Sequence, residues 1–152
     1  MDELTPEAQA IGAVNTVMVI EGRLIGHNTD AKGFLRALRE AGFEPKGCSA
    51  LVLGAGGAAR AVVYGLVTVG AQVTILNRTE QWARSLADEF NEIGGRARIE
   101  AGPLDISTLR REAKGTQLVI NATSLGMWPR VDASPWPEEV AFPQGRFLFD
   151  LV

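Results

Sequence analysis

Apolar positions in the first forty residues switch between extended and helical spacing. Thr5-Pro6-Glu7 sets a capping side chain before a proline, which opens a helix, and Gly12 is expected to end it. Residues 13–20 are β-branched and apolar, and Glu21-Gly22-Arg23 is turn-forming. Residues 24–26 should fold back as the second strand of a hairpin. Over residues 31–41, Phe34, Leu35 and Leu38 share one face, and Lys32, Arg36, Arg39 and Glu40 lie elsewhere. That is an amphipathic helix, with Asp30 as its expected N-cap and Gly42 as its stop.

From residue 50 the pattern changes. Residues 50–53 form a short unbroken apolar run, as in a strand covered on both faces. A helix over 58–69 has almost no polar face and should be buried, with Gly70 ending it. A strand follows at 71–76. Thr79 can cap a helix whose core stripe is read as Trp82, Leu86, Phe90 and Ile93, closed by Gly94-Gly95. Further strands are predicted at 97–101, 117–121 and 147–152, with a short helix at 107–113. Residues 126–145 are rich in proline and tryptophan and read as loop, with room for one helical turn. Strands alternating with helices at this spacing predict a parallel sheet of βαβ units.

Composition narrows the class. The 152 residues are 46% hydrophobic and 22% charged, enough for one domain with a real core. Net charge is −3 with no basic block, which argues against nucleic acid as partner. No apolar stretch is long enough for a membrane span. The single cysteine, Cys48, excludes a disulfide framework and fits a reducing, cytoplasmic location. It reads as a small apolar residue before a strand. The 17 glycines are the outlier, and many lie beside the apolar runs.

One cluster explains them. Gly54, Ala55, Gly56, Gly57, Ala58 and Ala59 follow a strand and open a helix, matching G-x-G-x-x-A inside a βαβ unit. Gly54 permits the turn, Gly56 lets backbone approach a pyrophosphate, and Ala59 allows close helix–strand packing. The helix N-terminus adds free N–H groups for phosphate. The same glycines could also serve a strand–helix turn with no ligand. The fold expected is a Rossmann-like, doubly wound α/β sheet. NAD-binding members of that fold place an acid after the second strand. Asn77, Arg78 and Thr79 stand there instead, which favours a 2′-phosphate and NADP over NAD. Asn121, Ala122, Thr123, Ser124, Leu125, Gly126 and Met127 end a later strand, where ligands of such sheets bind, and the short polar side chains with Gly126 suit close approach by a flat ring. His27, the only histidine, has no metal-ligand spacing around it, no metal is expected, and a surface or turn role is assigned to it.

Six segments now stand in a fixed order: Ala13-Val14-Asn15-Thr16, Asn28-Thr29-Asp30-Ala31-Lys32-Gly33, the glycine loop, Asn77-Arg78-Thr79, Asn121 to Met127, and Phe149-Asp150-Leu151-Val152. Together they closely resemble the shikimate/quinate dehydrogenase family over nearly the whole chain. The resemblance implies reversible NADPH-dependent reduction of 3-dehydroshikimate to shikimate. It implies that Asn15, Thr29 and Asp30 bind substrate hydroxyls, with Asp30 also the acid partner of a catalytic Lys–Asp pair. It further implies that residues 54–59 cradle the pyrophosphate, Asn77, Arg78 and Thr79 hold the 2′-phosphate, and Thr123, Ser124 and Leu125 flank the nicotinamide.

Departures from the family pattern set further expectations. Lys32, Lys46 and Lys114 lack the catalytic lysine's context, and motifs of the family's amino-terminal half are absent. The chain is therefore expected to be a truncated piece: residues 1–30 the remnant of a substrate domain, 31–152 the NADP(H)-binding domain. Such a piece should bind cofactor without turnover. Family members carry a second basic residue four positions after the motif arginine; here it is Trp82, with Arg84 a candidate substitute. A quinate-specific enzyme using NAD, a non-catalytic dinucleotide-binding module and a homodimer stay open. A methyltransferase would want an acid where Arg78 stands.

Overall fold

The computed structural model describes residues 1–93 and 98–151. Predicted features at Gly94, Gly95, Ala97 and Val152 lie outside the described residues. Strand β1 (Glu3–Leu4) leads into helix α1 (Pro6–Ile11), then β2 (Thr16–Ile20), β3 (Arg23–His27) and α2 (Asp30–Glu40). The second part runs β4 (Ser49–Leu53), α3 (Gly57–Thr68), β5 (Gln72–Asn77), α4 (Glu80–Ile93), β6 (Ile99–Pro103), α5 (Ile106–Glu112), β7 (Leu118–Asn121) and β8 (Phe147–Asp150). A 3-10 turn, Ala113–Gly115, extends α5.

The larger sheet is all parallel in the order β6-β5-β4-β7-β8. That order reverses between β4 and β7, which is the switch point of a doubly wound Rossmann-like sheet. Its alternating residues feed two cores. Ala50, Val52, Val73, Ile75, Leu118 and Ile120 pack under α2, α3 and α4. Leu51, Leu53, Leu76 and Val119 pack under Leu109 of α5 and Val140. Burial on both faces explains why β4 reads as an unbroken apolar run. Phe34 of α2 meets Phe149 of β8 edge-on, ring centres 5.0 Å apart.

The hairpin is present, β2 pairing antiparallel with β3 from Thr16↔His27 to Ile20↔Arg23. β1 pairs parallel with β3, a strand the sequence reading did not anticipate at this acidic terminus. Thr5 caps α1 as expected, its hydroxyl accepting from the Ala8 N–H at 3.3 Å. Ile11 and Ala61 share a small core with Ala31, so α1 rests on α3. Arg60 of α3 donates to the Ile11 carbonyl at 2.7 Å and pairs with Glu89 of α4.

Four expectations are corrected. Asp30 does not cap α2: it is already the first helical residue, Thr29 holds the cap position without a side-chain bond, and Asp30's own N–H goes to Asn28 Oδ1 at 3.0 Å. His27 is neither turn nor open surface: it is a half-buried strand residue whose Nδ1 lies 3.1 Å from Thr5 Oγ1. Trp82 and Ile93 leave the α4 core stripe, 64% and 55% exposed, because Ala83, Leu86, Ala87 and Phe90 make the close contact with the sheet. Residues 126–145 contain no helical turn; turns anchored by Val140 and by Trp136 Nε1 donating to the Val140 carbonyl at 2.7 Å fix them instead.

Candidate cofactor and substrate cleft

The cleft opens at the carboxyl ends of β4, β5 and β7, where the fold places ligands. Gly54 leaves β4 with φ of +112°, and an added Cβ would sit 2.8 Å from the Ala122 carbonyl oxygen. Its lack of a side chain is thus demanded by the protein itself: both the left-handed backbone and the approach of β7 require it. Gly56 and Gly57 differ. Each has an ordinary backbone conformation, and a Cβ on either would meet no atom within 4 Å. The protein has no internal need for glycine there, and the bare backbone leaves room for a ligand. Gly56 is the N-cap of the 12-residue α3 and offers no capping side chain. The first N–H groups of α3 therefore face the cleft with the positive end of the helix dipole behind them.

Around this loop lies a cavity of about 560 Å³. Gly54, Ala55, Gly56, Gly57 and Ala58 form its floor; Asn77, Arg78, Thr79 and Trp82 stand at the β5 end; Ala122, Thr123, Ser124, Leu125 and Met127 stand at the β7 end. Arg78 and Arg130 line it, and among the described residues no carboxylate does. The lining suits an anion and a flat apolar body together. Asn77 Nδ2 donates to the Thr79 carbonyl at 2.9 Å, which shapes the turn that carries Arg78. Arg84, considered as a second cation, is absent from the lining and pairs with Glu80 one turn back.

Two predicted residues support the wall without forming it. Ala59, in the first turn of α3, is fully buried in the core against the sheet. Asn121 is buried, accepting from Thr123 N–H at 3.0 Å and Thr123 Oγ1 at 2.7 Å, and donating to Asp150 Oδ1 at 3.0 Å. It organises the 121–125 turn from beneath.

A second cavity of about 490 Å³ adjoins the first through Ala58 and Leu151, and Thr29 and Asp30 line it with Gly33, Phe34, Val62 and Phe149. Here three predicted substrate residues meet. Asn15 Nδ2 donates to Asp30 Oδ1 at 2.6 Å and to Thr29 Oγ1 at 3.1 Å, while Asn15 Oδ1 accepts the Thr29 N–H at 3.0 Å. Asp30, whose carboxylate is unused for capping, lines this second cavity. Lys32, the lysine nearest to it in sequence, is tied to Glu7 at 2.6 Å, and that carboxylate holds its ammonium above the usual lysine range. Among the described residues no group of three or more His, Cys, Asp and Glu is placed to hold a metal. No described helix is long and apolar enough to cross a membrane.

Sequence reading missed Trp82, Leu104 and Arg130 as cleft residues. Leu104 follows β6 directly, so the rule that ligands sit at strand carboxyl ends could have marked it. Arg130 carries no local signal, since it comes from the proline-rich segment.

Comparison with known proteins agrees with this geometry. The profile of the family described as Shikimate / quinate 5-dehydrogenase matches residues 37–151. A relative named shikimate dehydrogenase (NADP(+)), from Moorella thermoacetica, is 46% identical over 100% of this chain and 51% of its own length. The chain spans about half the length of the curated relatives it matches. The shikimate 5-dehydrogenase of Thermus thermophilus, solved with NADP(H) and shikimate, is 47% identical with a TM-score of 0.82, covering 100% of this chain and 52% of that one. Quinate dehydrogenase from Corynebacterium glutamicum, solved with NAD, is 31% identical with a TM-score of 0.84, covering 100% and 53%. Glycine loop, sheet order and family profile coincide on the same stretch of chain, and the protein belongs to the shikimate/quinate 5-dehydrogenase family.

Proposed function

We propose that this chain carries the NADP(H) site, and part of the substrate site, of an enzyme that reversibly reduces 3-dehydroshikimate to shikimate. The observation that carries the reading is the open space over Gly56 and Gly57 at the start of α3, under a wall with two arginines and, among the described residues, no acid. Relatives named shikimate dehydrogenase (NADP(+)) support the choice of reaction and cofactor. When bound, the nicotinamide would supply or accept hydride.

The chain's own residues do the rest. The first N–H groups of α3 hold the pyrophosphate. Arg78 meets the 2′-phosphate with a forked donor that a lysine could not match. Thr123, Ser124 and Leu125 position the nicotinamide beside the second cavity. Asn15, Thr29 and Asp30 take the substrate hydroxyls. Asp30, oriented by the Asn15 amide on its Oδ1 and not used as a cap, would share a proton with the acid–base lysine that the resemblance places in a motif absent from this sequence. Lys32 is committed to Glu7 and does not fill that role. Buried Cys48, unpaired, supports a reducing, cytoplasmic setting.

The test is a titration of NADPH and NADH into the protein and its Arg78→Ala variant. NADPH should bind more tightly, and the variant should lose that preference. Equal affinities in the unmodified protein would remove the role given to Arg78. The same chain should show no steady-state rate with NADPH and 3-dehydroshikimate; a clear rate would overturn the assignment of the lysine. Quinate with NAD is a second reading. It draws on Trp82 standing where a second cation is expected, and on the likeness to the NAD-bound quinate dehydrogenase.

A further inference from the structure

Packing does not explain Trp82. It lies in the first turn of α4, whose contact with the sheet is made by Ala83, Leu86, Ala87 and Phe90. The residue is 64% exposed, although tryptophan is on average a well-covered residue. It is not adrift on the outer surface either. It lines the cofactor-sized cavity with Arg78 and Thr79 and shares that lining with Leu104, just past β6. Among the described lining residues it is the only aromatic ring.

Sheet order decides what the ring would meet. Phosphates belong at the α3 N-terminus, directly after β4. β7 neighbours β4 on one side, and its turn leads to the cavity that holds Thr29 and Asp30. β5 neighbours β4 on the other side and leads to Arg78 and Trp82. A dinucleotide laid across the glycine loop, with its reactive ring toward Asp30, has its adenosine half at the β5 end.

We infer that Trp82 is the stacking surface for the purine base of that adenosine half, which leaves Arg78 as the cation for the 2′-phosphate. This rests on the dinucleotide reading above and adds the group that grips the base. Purine and indole both present broad π faces, and stacking between them needs no matching hydrogen bonds. The division of labour has a signature. A contact made by stacking responds weakly to salt, whereas an exposed arginine–phosphate pair is screened. Arg84 lies outside the cavity lining and pairs with Glu80, so Arg78 is the cation of the β5 end that lines the cavity.

The probe is adenosine 2′,5′-bisphosphate, titrated by calorimetry and by tryptophan fluorescence. The protein has three tryptophans, so variants must assign the signal. Binding should quench the fluorescence of the unmodified protein and of Trp128→Phe. Trp82→Phe should lose the quench yet keep affinity within about threefold, since a phenyl ring still stacks. Trp82→Ala should weaken binding about tenfold or more, with an unchanged melting temperature because the side chain is exposed. That loss should be the same at low and high salt, whereas the loss in Arg78→Ala should shrink as salt rises. Unchanged affinity in Trp82→Ala, or a quench that persists in Trp82→Phe, overturns the stacking role while leaving the dinucleotide reading intact. Failure of the unmodified protein to bind the probe overturns both.

Discussion

Replacing Asp30 by asparagine removes a charge while keeping an oxygen that can accept from Asn15. Because Asp30 caps nothing, the melting temperature of Asp30→Asn should barely move. In a protein of the relatives' full length, turnover should nevertheless fall about a hundredfold or more, the usual scale of a lost proton-transfer group. A variant that keeps its rate would reduce Asp30 to a structural residue. The motif around Asp30 was legible in the chain, but its local role was misread. A carboxylate before an amphipathic run looks like a cap, and only the Asn28 side chain taking the Asp30 N–H shows otherwise. Cys48 offers a second test. Burial pushes its thiol from 9.0 up to about 11. The fold therefore favours the neutral thiol. Its contribution to stability is complete below pH 9.0 and is lost as pH rises toward about 11. Denaturation midpoints of the unmodified protein should fall relative to Cys48→Ala over that window and run parallel below it.

The glycine loop separates two reasons for the same residue type. Gly54→Ala forces a side chain into a left-handed backbone and against the Ala122 carbonyl, and should cost about 2 kcal/mol or more. Gly56→Ala meets empty space, and should change stability by no more than about 1 kcal/mol. Its effect should appear in NADP⁺ affinity, which falls as the new methyl intrudes on the phosphates. Thermal melts and calorimetry on the pair would read both, and equal loss of affinity and stability in Gly56→Ala would undo the distinction. The alternation of strands and helices from β4 to β8 was legible because strands covered on both faces are unbroken apolar runs. β1 was not legible: Glu3 and Leu4 have no apolar pattern and become a strand only by pairing with Ile25 and Gly26. α4 misled for a related reason. Trp82, Ala83 and Leu86 all fit helical spacing, and the closeness of the sheet decided for alanine over indole.

Taken whole, α1 of the amino-terminal part is tied to α3 and α4 beside the parallel sheet through Arg60, next to the small core of Ile11, Ala31 and Ala61. It donates to the last carbonyl of α1, pairs with Glu89 and lies over the Phe90 ring with its guanidinium carbon 5.7 Å from the ring centre. Arg60→Met keeps the apolar stem but drops the charged hydrogen bond, and should cost about 2 kcal/mol. Limited proteolysis of the variant should then find residues 1–30 more readily cut. The proline-rich segment on the opposite face behaves differently. It has no helix or strand, yet Arg110 Nη2 donates to the Glu139 carbonyl at 3.1 Å and Trp136 is clamped against Val140 and Phe142. A segment held this way has a single-atom gauge built in. The indole proton of Trp136 should resist exchange with deuterated solvent far longer than that of Trp128, which is 87% exposed. Following that one resonance while nucleotide is added would report whether the segment that brings Met127 and Arg130 to the cleft stays seated as the cleft fills.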